Sequence, residues 1–293
     1  MEGLVNSKEV GNLLDFYLGS DDDAVRSHIL DHLVEKIPFG HQPQRLVETI
    51  EDPALRCKAR QCGDAMERLE RQLHIRDLEH FLITPKLRND IEIATFLVNR
   101  LSGALHSPSE FIQVIDRLAE PLLPRMDSLA DAGPEAKLKV FLDYLFVERG
   151  FRGNRENYYD PENSYLLSVI ENGRGNPISL SVLTMFVGRR AGLRFEGMSL
   201  PGHFIVRFRD EDYAIYVDPF NEGNLLTDED CTGFMLRQGV TPTTEHFFAA
   251  DALSIIRRIY RNLLNYYMNT TDIKKEATLN RHLSILQNYT SYR

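Results

Sequence analysis

Residues 178–191 constrain the fold of this chain more than any other stretch, because they are almost wholly apolar over a length that suits a helix. A helix without a polar face cannot lie on a surface and must be wrapped by other elements. Both of its ends are marked. Gly173 to Pro177 reads as a turn, with Asn176 placed to cap the helix and Pro177 in its first turn. Gly192 is a natural stop. Residues 195–200, 203–208 and 213–217 then form three short aromatic and β-branched runs, each bounded by Gly, Pro or Asp. That is the pattern of antiparallel strands, with residues 209–212 as a polar hairpin turn between the last two.

The rest of the chain reads as helical. Residues 10–18 and 24–37 are helix candidates, the second carrying Val25, Ile29, Leu30, Leu33 and Ile37 as one buried stripe. Pro38-Phe39-Gly40 breaks it. Residues 55–82 form a long charged helical pattern with a break expected near His74-Ile75, and no fixed repeat is evident. Further helices are expected over 90–105, from Pro108 behind a capping Ser107, and over 135–148. Residues 151–166, FRGNRENYYDPENSYL, are a loop with aromatic anchors, followed by a short helix at 166–170. Two helical patterns, 252–268 and 274–288, close the chain. The expected class is α+β: a helical extension over 1–84, a core over 85–245 with a buried helix and a small antiparallel sheet, and a helical hairpin over 246–293.

Composition narrows the function. The chain has 293 residues, 43% hydrophobic and 26% charged, the profile of an ordinary globular protein. A net charge of −9 argues against nucleic acid, whose binding relies on a basic face to displace counterions. The basic pairs Arg189-Arg190 and Arg257-Arg258 fall on helix edges. The amino terminus lacks a basic start followed by an apolar run, and no stretch approaches the ~20 apolar residues that span a bilayer. Cys57, Cys62 and Cys231 are an odd and sparse set, which fits reduced thiols in cytoplasm and neither a disulfide framework nor a metal site. No Gly-rich phosphate loop is present, and no cofactor is expected.

One constellation could carry chemistry. His203 opens one strand and Asp218 follows the next, so a hairpin can set them side by side at one end. A carboxylate there orients the imidazole and supports its protonated form. Such a pair needs a nucleophile facing it, best placed at the start of the preceding helix, where the helix dipole lowers a thiol pKa.

The runs GNPISLSVLTMFVGRRAGL, PGHFIVRF and YVDPFN, in that order, resemble the transglutaminase-like superfamily. Within it, the chain is most similar to the SirB-type bacterial branch, whose core domain is also found in an F-box ubiquitin-ligase subunit. FRGNRENYYDPENSYL upstream and NEGNLLTDEDC downstream share in the resemblance, which covers roughly 90–289. It implies a papain-like fold ending in a tetratricopeptide-like hairpin, with His203 and Asp218 matching the family's catalytic pair. The family's cysteine position falls on Pro177, so the nucleophile is missing. Ser181, one turn later, and Cys231, within an acidic run that would raise its pKa, are the substitutes to weigh, with Ser179 pointing further round the helix. By the same resemblance Asn163, Ser164 and Tyr165 lie near the helix start and, with Asn176, Pro177 and Ser179, form a polar pocket. The expected function is a non-catalytic interaction or regulatory module for another protein or peptide. The alternative is a hydrolase or acyl-transferase that uses Ser181 or Cys231 with His203 and Asp218.

Overall fold

A computed structural model describes residues 7–48, 53–61, 63–103 and 107–291. The amino-terminal helices are α1 (Ser7–Gly19), α2 (Asp23–Lys36), α3 (Pro43–Glu48), α4 (Pro53–Gln61) and α5 (Gly63–Ile83). Next come α6 (Pro85–Arg88), α7 (Ile91–Asn99), α8 (Pro108–Ala119), α9 (Leu123–Asp127) and α10 (Pro134–Leu142). The central helices are α11 (Leu166–Asn172) and α12 (Pro177–Arg190). A two-residue parallel pair, β1 (Arg152–Gly153) and β2 (Arg174–Gly175), brackets the loop between α10 and α12.

The main sheet runs β3 (Phe195–Leu200), β4 (His203–Asp210), β5 (Tyr213–Asp218) and β6 (Asn224–Leu226), in that order and antiparallel throughout. Beyond it lie α13 (Asp228–Arg237) and the antiparallel pair α14 (Ala252–Tyr267) and α15 (Ile273–Ser291). The class is therefore α+β, mostly helical, as the patterning indicates. No helix among the described residues is long and apolar enough to cross a membrane.

α12 is enclosed as its composition requires. Ile178, Leu180, Val182, Leu183, Phe186 and Val187 are all buried. The helix packs on β3 and β4 along one side and on α8, α11 and α14 along others. The alternation of β4 divides the sheet between two cores. Phe204, Val206 and Phe208 enter the main core with α12, whereas Ile205 joins Met198, Leu200, Tyr216, Cys231 and Met235 beneath α13. One long core cluster spans Leu78 to Leu286, and a second, from Val10 to Leu73, holds the amino-terminal helices together.

α5 differs from expectation. The pattern over 55–82 is divided after Gln61, and α5 continues through His74 and Ile75 without the expected break. The helix changes cores there instead of bending. Leu69 and Leu73 belong to the amino-terminal cluster, Leu78 and Phe81 to the main one, and the buried His74 sits between them. A change of buried face disturbs the hydrophobic period without disturbing the backbone. Cys62 lies outside the described residues. The helix expected over 90–105 stops at Asn99, tightens into a turn over Arg100–Ser102 and ends at left-handed Gly103; residues 104 and 105 lie outside the described residues. The helix expected over 135–148 loosens into a wider π turn over Asp143–Glu148.

Candidate functional site

The start of α12 is built from backbone accounting. Asn176 accepts the Ser179 N–H on Oδ1 at 3.0 Å, and Ser179 Oγ accepts the Asn176 N–H at 3.1 Å, a reciprocal capping box. Pro177 fills the first helical position, where a missing N–H costs nothing. Ser179 Oγ donates to the Asn163 carbonyl at 2.6 Å, and Asn176 Nδ2 donates to Ser164 Oγ at 2.9 Å. The Asn163 carboxamide donates to the carbonyls of Asn157 and Tyr158 and accepts from Asn154 Nδ2. These polar groups are buried and engaged with one another, so they hold the loop over 154–165 against the helix start. Gly175 is required beside them, because a Cβ there would meet Ser179 Oγ at 2.7 Å. Tyr165 turns elsewhere: it is buried among the helices near Tyr267, and burial raises its phenol pKa.

β4 and β5 bring His203 and Asp218 together. The last pair in their ladder is Val206 with Val217, so both residues lie just past it at the same end of the hairpin. His203 Nε2 is 2.8 Å from Asp218 Oδ2. Asp218 also caps a short turn at Pro219–Asn221, accepting the N–H groups of Phe220 and Asn221 on Oδ1 and Asn221 Nδ2 on Oδ2. Burial alone would raise its carboxyl pKa, but the bonds from His203 and Asn221 outweigh it and hold the group below the usual value. With Nε2 engaged by the carboxylate, Nδ1 is the ring nitrogen left for another partner. The ring packs beside Phe220, at 6.1 Å between centroids and nearly perpendicular, and beside Phe234 of α13 at 5.6 Å. Arg258 of α14 donates to the His203 carbonyl at 2.9 Å and fixes the strand start to the carboxy-terminal helices.

The three nucleophile candidates have other engagements. Ser179 is consumed in the cap. Ser181 is fully buried and its Oγ donates to the Phe204 carbonyl at 3.2 Å. Cys231 is buried in the cluster beneath α13, where burial, followed by the charges of Asp228, Asp230 and Asp218, pushes its thiol up to about 12. Sequence reasoning missed Asn221, Phe220, Phe234 and Arg258. Asn221 was open to discovery, since Asp-Pro-x-Asn is a turn pattern that folds its carboxamide back on the first residue. The aromatic neighbours come from separate elements and carry no local signal. Among the described residues no group of three or more His, Cys, Asp or Glu is placed to hold a metal ion.

A family model described as the transglutaminase-like superfamily matches residues 109–261. A protein of Xylella fastidiosa described as a UPF0162 protein is 41% identical over 145 residues, covering 46% of this chain and 50% of its own length. A UPF0162 protein of Pseudomonas aeruginosa is 27% identical over 161 residues. Mouse F-box only protein 21 is 32% identical over 130 residues, 41% of this chain and 20% of its own length. The match thus spans about half the length of the Xylella relative and a fifth of the mouse one. No solved structure matches the chain.

Proposed function

We propose, from the premise that this chain belongs to the transglutaminase-like superfamily, that it is a member without the nucleophile and serves as a protein-interaction or regulatory module. The observation that carries the reading is the engagement of every candidate nucleophile. Ser179 is spent in the helix cap, Ser181 donates to a strand carbonyl, and Cys231 is buried with a raised pKa. Pro177 occupies the position at which the family's cysteine belongs, and the His203–Asp218 pair persists as a structural and recognition element.

The occupant class follows from the side chains around that pair, and it is an extended segment of another protein. Tyr159, 77% exposed, stacks edge-on against Tyr158, which packs on Phe220 beside His203. This aromatic path from solvent to the imidazole suits a peptide carrying apolar side chains and a hydrogen-bond donor for Nδ1. On this reading the chain belongs to the SirB-type bacterial branch and works in the cytoplasm, with α14 and α15 as a tetratricopeptide-like hairpin. Functionally it divides into an extension over 1–84, the core over 85–245 and the hairpin over 246–293. The UPF0162 relatives support the bacterial branch, and recurrence of the core in F-box only protein 21 supports use of this domain for interaction.

Labelling separates this reading from a hydrolase. Incubated at neutral pH with a fluorophosphonate and with iodoacetamide, the full chain is expected to carry no adduct on Ser181 or Cys231 by mass spectrometry. An adduct on either that disappears in His203→Ala would establish an activated nucleophile and overturn the proposal.

A further inference from the structure

A cavity of about 320 Å³ opens between α5, α15 and the turn after α7, apart from the His203–Asp218 pair. Its volume is at the lower end of small-ligand sites. The body of the cavity is apolar, walled by Tyr165, Tyr267, Leu101 and Leu279. Its charged groups are Arg71, Arg100, Lys274 and Lys275 against Glu67, Glu70 and Asp272, an excess of cations in a chain whose net charge is −9. Lys274 at 2.9 Å and Arg71 at 3.6 Å share the single carboxylate of Glu67, which leaves one positive charge over, whereas the Lys275 ammonium lies 5.0 Å over the Tyr267 ring and donates to its hydroxyl at 3.1 Å. His74, also on the wall, has its pKa held well below the usual value by burial, so it adds no charge.

The floor is a buried ionic cluster with unused valences. Arg100, 4% exposed, meets Asp77 at 2.5 Å and Glu70 at 2.6 Å. Asp77 is also bound by Arg76, so it does not consume the cavity's positive excess. Arg100 Nε and Glu70 Oε2 are buried and have no hydrogen-bond partner among the described residues. Buried polar groups left without partners are uncommon, and they leave the charge of this floor incompletely answered.

We infer that this cavity is a binding site for a small organic anion, a carboxylate on an apolar or aromatic body. The carboxylate meets Lys275 and Arg71 at the mouth, and the body lies against the two tyrosines.

The test uses the full chain and two probes of the same shape and opposite charge, 3-phenylpropionate and 3-phenylpropylamine, followed by saturation-transfer NMR. The carboxylate is expected to receive saturation and the amine not. Lys275→Glu, an exposed change that spares the core, should weaken the carboxylate at least tenfold, and Thr278→Phe should block the cavity; circular dichroism verifies the fold of each. His203→Ala should leave binding unchanged, which separates this site from the one proposed above. No transfer to the carboxylate, equal binding of the amine, or binding unaltered in folded Lys275→Glu would overturn the inference.

Discussion

His203 and Asp218 do not contribute equally to the site. Without His203, Asp218 would still hold two backbone N–H groups and the Asn221 carboxamide, so His203→Ala should cost about 1–2 kcal/mol. Asp218→Ala leaves all of those donors unanswered and should cost about 2–4 kcal/mol, which urea denaturation of the two variants would rank. A larger loss in His203→Ala would reverse the hierarchy. The sign of the pH effect follows from the lowered carboxyl pKa. Asp218 contributes fully above the unfolded carboxyl value of about 4, and its contribution disappears as pH falls through the lower folded value. Asp218→Asn should therefore lose stability at neutral pH and flatten the acid limb of the stability curve. Pro177→Cys tests the proposal that position 177 corresponds to the family's cysteine. A thiol there stands at a helix start and should react with iodoacetamide below its ordinary pKa of about 8.5, more slowly when combined with His203→Ala. Ordinary, His203-independent reactivity would show that position 177 does not face the imidazole.

Among the elements, the β1–β2 pair matters out of proportion to its size. A Cβ on Gly153 would lie 2.5 Å from the Phe220 ring, and Phe220 in turn packs on His203 and Tyr158. Gly153→Ala must push that ring aside, at about 1–3 kcal/mol. In the His203 side-chain NMR signals it should produce a shift that Gly133→Ala, with nothing near its Cβ, does not. α12 and β3–β5 were legible because an all-apolar helix and aromatic strand runs leave few alternatives. The chain contains no comparable cue for β1, β2 or β6, which are too short to show a period. The α5 error had a related origin. Its stripe shifts at His74 because the helix passes from one core to another, and that shift reads locally as a break.

Across the whole molecule, a buried polar knot ties the two ends of the chain to the core. His74 of α5 and His282 of α15 have ring centroids 4.4 Å apart, and Tyr260 of α14 lies beside His282. Burial, with Arg100 and Arg281 nearby, depresses the His282 pKa to about 4. Burial likewise holds the His74 pKa well below the usual value, so both imidazoles are neutral in the fold and take up protons when the chain unfolds in mild acid. The contribution of His282 is complete above the unfolded histidine value of about 6.5 and is lost as pH falls toward 4. His282 alone can account for roughly 3 kcal/mol over that interval. Thermal unfolding of His282→Leu should be flatter than that of the parent between about pH 6.5 and 4; parallel curves would exclude the knot as a pH-sensitive element.

The helical and strand periods, the cap and stop of α12, and the pairing of His203 with Asp218 could all be read from the residues alone, because each depends on neighbours in the chain or on one short hairpin. Pro177 was likewise legible as a comfortable helix start. Where Tyr165 points, that Ser181 gives its hydroxyl to Phe204, that Cys231 is sealed beneath α13, and that Arg100 and Glu70 share a cavity floor became visible in the folded chain alone. Those outcomes depend on which faces of distant elements meet, and the free energy of packing those faces is not written in any local pattern.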